Sequence, residues 1–149
     1  MSSPPCPRRR FLEVVAQGGV LAGAACLGVG CGISLSGTYA AGNVSQIQVG
    51  SLQAISSGPL AIGRDAMGVY AMTLICTHQG CDMATDGTVT SQGVSCNCHG
   101  SQFDVNGNRL AGPAQLPLDH YPVTIDSTGA MTINTDAPVV ETTRTAVPA

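Results

Sequence analysis

Two short segments of this 149-residue chain combine cysteine with histidine, and they constrain its fold more than any other feature. The first is Cys76-Thr77-His78-Gln79-Gly80-Cys81, and the second is Cys96-Asn97-Cys98-His99-Gly100-Ser101. Together they place four cysteines and two histidines between positions 76 and 99, in a chain with seven Cys and three His. Each segment can therefore supply both thiolate and imidazole ligands to one metal site from a single tight loop.

Three kinds of site suit this set of side chains. Two thiolates and two imidazoles form a tetrahedral structural zinc site, which leaves two cysteines without a role. A frame of disulfides suits an exported domain but leaves both histidines without a role. An iron–sulfur cluster with two Cys on one iron and two His on the other, supported by one disulfide, uses all six residues.

The spacing of the two segments resembles that of the Rieske iron–sulfur proteins. Their pattern is Cys-x-His, an intervening loop, and then Cys-x-x-His. This resemblance implies one [2Fe-2S] cluster with Cys76 and Cys96 as thiolate ligands and His78 and His99 as imidazole ligands. A mixed ligand set of this kind raises the reduction potential to roughly −150 to +300 mV, against about −400 mV for plant-type ferredoxins.

The resemblance also separates two branches of that family. The high-potential branch has one further cysteine in each segment, joined to each other, and Cys81 and Cys98 stand at those positions. Rieske oxygenases lack this disulfide, so the chain is similar to the electron-transfer branch. The similarity runs from about Val44 to Ile133.

The same resemblance places further residues around the cluster. Ser101 matches a serine whose hydroxyl bonds a bridging sulfide and raises the potential. Phe103 stands where respiratory members usually have tyrosine, whose hydroxyl bonds a ligand thiolate; simple packing is the other interpretation of Phe103. Gly112 and Pro113 resemble the start of a proline-containing loop that covers the cluster. Without the tyrosine hydroxyl, we expect a potential below that of the quinol-oxidising proteins and above that of an oxygenase ferredoxin.

The first forty residues have a different composition. Arg8-Arg9-Arg10 precedes Phe11-Leu12, and the stretch from Val14 to Leu35 is almost wholly apolar. Basic, then apolar, then small residues is the order of an export signal. Two arginines followed by x-Phe-Leu resemble the twin-arginine signal in particular. We interpret residues 1–40 as a signal or membrane anchor with a linker, and cleaved, anchored and lipidated forms all remain open.

The rest of the chain predicts an all-β fold, a small antiparallel sandwich or partial barrel. With the resemblance above, this implies a Rieske-like fold with two cluster-binding loops. Short apolar runs separated by Gly, Asn and Asp turns give the following strands: Ile47–Val49, Leu60–Ile62, Val69–Ile75, Val94–Cys96, Val123–Ile125 and Met131–Ile133. The small and polar residues 34–46 predict a linker. We expect the domain to span residues 41–135 and residues 136–149 to form a flexible tail, with its first residues able to pack on the domain.

Charge narrows the choice of partners. The net charge is −3, and without residues 1–40 the chain keeps three Arg and eight acidic residues, a net of −5. Nucleic acid is therefore excluded as a partner, because no basic surface exists to neutralise phosphates. Several aspartates in loops suit a basic redox partner such as cytochrome c.

These observations lead to an exported one-electron carrier, periplasmic or at the outer face of the cytoplasmic membrane. It exchanges electrons with a cytochrome or another redox protein and performs no bond chemistry of its own. The alternative is the iron–sulfur subunit of a quinol–cytochrome c oxidoreductase of the cytochrome bc type, with quinol and a cytochrome b subunit as partners. A zinc- or disulfide-stabilised binding module is the third interpretation.

Overall fold

The computed structural model describes residues 33–148, so most of the segment interpreted as a signal or anchor lies outside the described residues. Within this range the chain forms three antiparallel sheets and one short 3₁₀ helix, Val44–Gln46. This confirms the all-β prediction. No helix between residues 33 and 148 has the length and apolar character needed to cross a bilayer.

Each sheet joins strands that are neighbours through backbone hydrogen bonds. The base sheet has the order β1 (Thr38–Asn43), β11 (Ala130–Asn134), β10 (Val123–Ile125). The middle sheet has the order β2 (Ser51–Ala54), β3 (Leu60–Asp65), β4 (Gly68–Thr73), β9 (His120–Tyr121). The third sheet has the order β5 (Gly87–Thr90), β6 (Gly93–Cys96), β7 (Gln102–Asp104), β8 (Arg109–Ala111).

Strand β4 is buried along its whole length because its alternate side chains enter two different cores. Val69 and Ala71 pack with residues of the base sheet, whereas Tyr70 and Met72 pack with residues of the third sheet. A strand covered on both faces has an unbroken apolar sequence, which is the pattern that made this segment recognisable. The middle sheet therefore separates a base core from a second core.

The second core carries the cysteines that face inward. Cys76 and Cys96 are 2% and 1% exposed, and they belong to the same apolar cluster as Met83 and Phe103. Full burial of a side chain such as Phe contributes about 1.5–3 kcal/mol. The apolar residues of this core thus place two thiols where water does not reach them.

Two sequence-based assignments of local structure were wrong. Ile47–Val49 is not a strand, since Ile47 ends the 3₁₀ helix and the next strand is β2. The predicted linker contains β1, which pairs with β11 from Thr38 opposite Asn134 onward. A ladder of backbone hydrogen bonds forms without large side chains, so composition alone did not reveal this strand.

Residues 139–147, within the tail that we expected to be flexible, instead pack on the domain, and we call them the C-terminal strap. Val69 and Thr145 exchange two backbone hydrogen bonds of 2.9 and 2.8 Å, and the Val139 amide donates to the His120 carbonyl at 2.8 Å. Arg144 adds an ion pair with Asp65 at 2.6 Å. Burial acts to raise the pKa of Asp65, but the hydrogen bond from Arg144 and two backbone amides outweigh it and lower that pKa.

His120 lies under this strap. The residue is 3% exposed, its Nδ1 lies 3.2 Å from the Leu118 carbonyl oxygen, and its ring stacks on Tyr70 with centroids 6.1 Å apart. Burial lowers the pKa of His120, and the nearby Arg144 cation lowers it further; Glu141 and Asp119 act in the opposite direction. The imidazole is therefore held in its neutral form.

This burial predicts a pH dependence of stability. In the unfolded chain His120 takes up a proton near its ordinary pKa of about 6.5, whereas the folded protein resists protonation to lower pH. The contribution of His120 to the free energy of unfolding is therefore complete above about pH 6.5. Below that pH it decreases by up to about 1.4 kcal/mol per pH unit. Urea unfolding followed by circular dichroism between pH 7.5 and 5.5 measures this slope. The variant His120→Phe should flatten it, and an equal slope in the variant would contradict the assignment.

Candidate metal centre

The two Cys/His segments form loops with the same backbone hydrogen bonds. In the first, the Cys76 amide donates to the Cys81 carbonyl at 2.8 Å and the Gly80 amide donates to the Cys76 carbonyl at 2.9 Å. In the second, the Cys96 amide donates to the Ser101 carbonyl at 2.8 Å and the Gly100 amide to the Cys96 carbonyl at 3.0 Å. Each loop is therefore closed by bonds between the same relative positions.

A glycine at the fifth position makes both closures possible. Gly80 and Gly100 have φ angles of 72° and 78°, a region that side chains with a Cβ rarely enter. Neither glycine was predicted from the sequence to have a role. Their equal offset from Cys76 and Cys96 was the signal from which the matched loops could have been predicted.

The loops bring the four expected ligands to one end of the second core. Cys76 and Cys96 are buried and have free thiols. The rings of His78 and His99 lie edge to face with their centroids 4.8 Å apart. His78 is half-buried and His99 is exposed. The thiols thus face the protein interior, while the imidazole pair lies nearer to solvent.

A disulfide joins the two loops, as the sequence analysis expected. It links Cys81 to Cys98, whose Cα atoms are 6.7 Å apart. The sulfur atoms of Cys81, Cys98 and Cys96 all lie within 4.8 Å of one another, so the bridge lies directly beside a buried thiol. It fixes the spacing of the two loops.

The segment that follows β8 covers the second loop. The Ala114 amide donates a hydrogen bond of 3.1 Å to the buried Ser101 Oγ. A Cβ at Gly112 would lie 2.5 Å from Ser101 Cα and 2.6 Å from the Gly100 carbonyl oxygen, so only glycine fits. Because Pro113 stands between these contacts, the Gly112-Pro113-Ala114 segment lies against the second Cys/His loop. Ser101 keeps its own hydroxyl proton available to donate.

Two further contacts hold this covering loop, and neither was predicted from the sequence. Thr77 Oγ1 donates a hydrogen bond of 2.7 Å to the Leu116 carbonyl, and an Arg109 guanidinium nitrogen donates one of 3.0 Å to the Gly112 carbonyl. Threonine in the position between a cysteine and a histidine is a weak signal by itself. Its role became visible only when the covering loop was placed beside it.

The chemistry of these side chains fits a cluster with two thiolate and two imidazole ligands. Burial raises the pKa of the Cys96 thiol, and the neighbouring Cys76 raises it further, so two thiolates here need a cation to compensate them. His78 Nδ1 is buried, and among the described residues no group hydrogen-bonds to it. Buried polar atoms normally have a partner, and a metal ion satisfies such a nitrogen.

Comparison with known proteins gives the same answer for the domain. A family model described as the Rieske [2Fe-2S] domain matches residues 37–122, more than half of the chain. The cytochrome b6-f complex iron-sulfur subunit of Synechococcus sp. (strain WH7803) is 34% identical over 90 residues, covering 60% of this chain and 48% of that protein. The subunit of the same name from Prochlorococcus marinus (strain MIT 9303) is 43% identical over 56 residues, covering 38% of this chain and 30% of that protein. The chain thus spans about half the length of these relatives, or less.

The fold also has a solved counterpart. The crystal structure of the cyanobacterial plasma membrane Rieske protein PetC3 from Synechocystis PCC 6803 superposes with a TM-score of 0.50 at 22% identity, covering 64% of this chain and 98% of that one. This likeness concerns the fold alone. Together with the family model and the matched, disulfide-linked loops, it completes the evidence that the chain belongs to the Rieske [2Fe-2S] domain family.

Proposed function

We propose that Cys76 and Cys96 hold one iron, and His78 and His99 the other, in the single [2Fe-2S] cluster through which this Rieske domain transfers electrons. One observation supports the assignment: two equivalent loops place the two thiols beside each other in the second core and the two imidazoles beside each other nearer to solvent. When bound, the cluster supplies one-electron redox chemistry at a potential raised by its imidazole ligands.

The residues of the chain determine where the electron enters and leaves. The thiol side is covered by the second core, so exchange with a partner takes place at the exposed histidine edge, His99 above all. A ring nitrogen that is not a ligand can hold a proton, which couples electron uptake to proton uptake at this edge. Ser101 and the covering loop exclude water from the neighbouring side.

We assign the domain to a membrane-bound electron-transfer complex of the cytochrome bc type, on the outer side of the membrane. The relatives named as cytochrome b6-f complex iron-sulfur subunits support this, although this chain spans only part of their length. The surface charge suits a basic cytochrome, because all three described arginines are engaged: Arg144 with Asp65, and Arg64 and Arg109 with backbone carbonyls.

A free exported carrier is the second candidate, favoured by Phe103 in place of the tyrosine usual in respiratory members. Fractionation of cells that make the full chain separates the two. A subunit of a complex stays with the membranes after a salt wash and supports quinol-dependent reduction of a cytochrome. Release by salt, with no such reduction, would favour the carrier and overturn the assignment to a complex.

The ligand assignment predicts distinct outcomes for cysteines that differ only in role. Cys96→Ser should abolish the visible absorption and the low-average-g electron paramagnetic resonance (EPR) signal of the reduced cluster, because serine does not replace a thiolate. Cys81→Ser should keep both signals but lose the cluster faster, because the bridge that closes the loop contributes about 3 kcal/mol.

Histidines provide the matched control for that experiment. His99→Gln should remove or alter the signal, whereas His120→Gln, a histidine of the middle sheet, should leave it unchanged. A normal EPR signal in both Cys96→Ser and His99→Gln would refute the ligand set.

The buried residues around the loops predict changes in potential. Phe103→Tyr places a hydroxyl among the residues that pack with Cys76 and Cys96, and a hydrogen bond to a thiolate stabilises the reduced cluster and raises its potential. Ser101→Ala removes a hydroxyl and should lower the potential. Ser57→Ala is the control, because the Ser57 hydroxyl bonds the Ala40 carbonyl at 2.8 Å, away from both loops. Redox titration followed by EPR measures all three, and a Phe103→Tyr potential equal to that of the unmodified protein would contradict the role of the missing hydroxyl.

A further inference from the structure

We propose that Arg144, in the C-terminal strap, is a positioning residue for the metal centre: it holds the β7–β8 turn, and through that turn the covering loop, in place. This inference depends on the proposed ligand set in one respect, the position of the cluster. The contacts that carry it belong to residues outside both Cys/His loops.

Arg144 connects parts of the fold that are distant in sequence. Its Nε donates to Asp65 Oδ2 at 2.6 Å, at the end of β3, and one terminal nitrogen donates to Asn106 Oδ1 at 2.7 Å. Its guanidinium carbon lies 4.1 Å from the centroid of the Tyr70 ring on β4. The side chain is only 8% exposed, so these contacts are shielded from solvent.

Asn106 lies in the turn that connects β7 to β8. Asp104 Oδ1 accepts hydrogen bonds of 2.8 Å from the backbone amides of Asn106 and Asn108, which fixes the shape of the turn. The Tyr70 hydroxyl donates to the Val105 carbonyl at 3.0 Å. The turn therefore rests on the middle sheet through Tyr70 and on the strap through Arg144.

The same turn anchors the far end of the covering loop. The Leu118 amide donates to the Gly107 carbonyl at 2.9 Å, while the near end of the loop leaves β8 at Ala111. Between these points, the Ala114 amide donates a hydrogen bond to the Ser101 hydroxyl, and the Leu116 carbonyl accepts one from the Thr77 hydroxyl. A displacement of the turn is thus transmitted to both ends of the loop that lies against the metal centre.

The geometry requires the planar guanidinium and not only its charge. One group bonds a carboxylate, an amide oxygen and two backbone carbonyls, those of Glu141 and Thr143. A lysine ammonium is a point charge and cannot reach Asp65 and Asn106 in these directions at once. Lysine should therefore keep the ion pair while releasing the turn.

Amide hydrogen exchange of the cluster-loaded protein tests the proposal. Arg144→Gln should increase exchange at the Leu118 and Ala114 amides by about tenfold, the scale expected for loss of a hydrogen bond from a charged donor. The reduced cluster should show shifted or broadened EPR lines, and the visible absorption should bleach several-fold faster, on the same scale.

Three variants distinguish positioning from general stability. Arg64→Gln is the matched control, because Arg64 is half-buried and, like Arg144, bonds backbone carbonyls, including that of Ile47 at 3.0 Å, beside the base core. It should lower overall stability without changing the EPR lines or the Leu118 and Ala114 amides. Arg144→Lys and Asn106→Ala should both reproduce the local exchange of Arg144→Gln while the strap stays bound, with slow exchange at the Thr145 amide.

Equal effects of Arg144→Gln and Arg64→Gln on the EPR lines and on the two amides would overturn the proposal, as would unchanged exchange at Leu118 in Asn106→Ala. Its failure can be told from failure of the proposed function. Exchange at Leu118 is measured whatever the ligands are, whereas the ligand set is refuted by normal cluster spectra in Cys96→Ser and His99→Gln.

Discussion

The closure of the two loops by backbone hydrogen bonds is the constraint on which the rest of the structure depends. Each closure turns a six-residue segment so that its first cysteine points into the second core while its histidine stays outside. The two buried thiols and the two imidazoles nearer to solvent then take their positions from backbone bonds within each loop. The disulfide only has to fix the distance between two units that are already formed.

The middle sheet explains how a small domain stabilises the polar end that carries the two Cys/His loops. Strand β4 contributes to both cores, so the base sheet stabilises the fold on one face while the third sheet presents the loops on the other. Apolar burial on the base side is independent of the metal centre. The second core, in contrast, includes the cysteines themselves, so its packing and the binding of the cluster are coupled.

Sequence reasoning predicted the all-β class, five of the strands, the disulfide and the family, because each has a local signature: apolar runs, turn residues, or cysteine and histidine at fixed spacing. The ligand roles of Cys76, His78, Cys96 and His99 remain a proposal. Strand β1 and the strap escaped prediction because backbone pairing with distant segments holds them, and composition does not encode a partner. The interaction of Arg144 with Asp65 and Asn106 joins three such segments, and nothing near position 144 indicated it.

The pairing of β1 with β11 and the packing of the strap have a practical consequence for attaching other proteins to this domain. A fusion ahead of Thr38 would join the base sheet, whose contacts lie on the far face of the middle sheet from the loops. A fusion after Pro148 would instead extend the strap, three residues beyond Thr145 and four beyond Arg144, whose guanidinium reaches the β7–β8 turn. Of these two attachment points, only the one ahead of Thr38 lies on the far side of the middle sheet from the metal centre. It is the point to choose for immobilising the domain on an electrode.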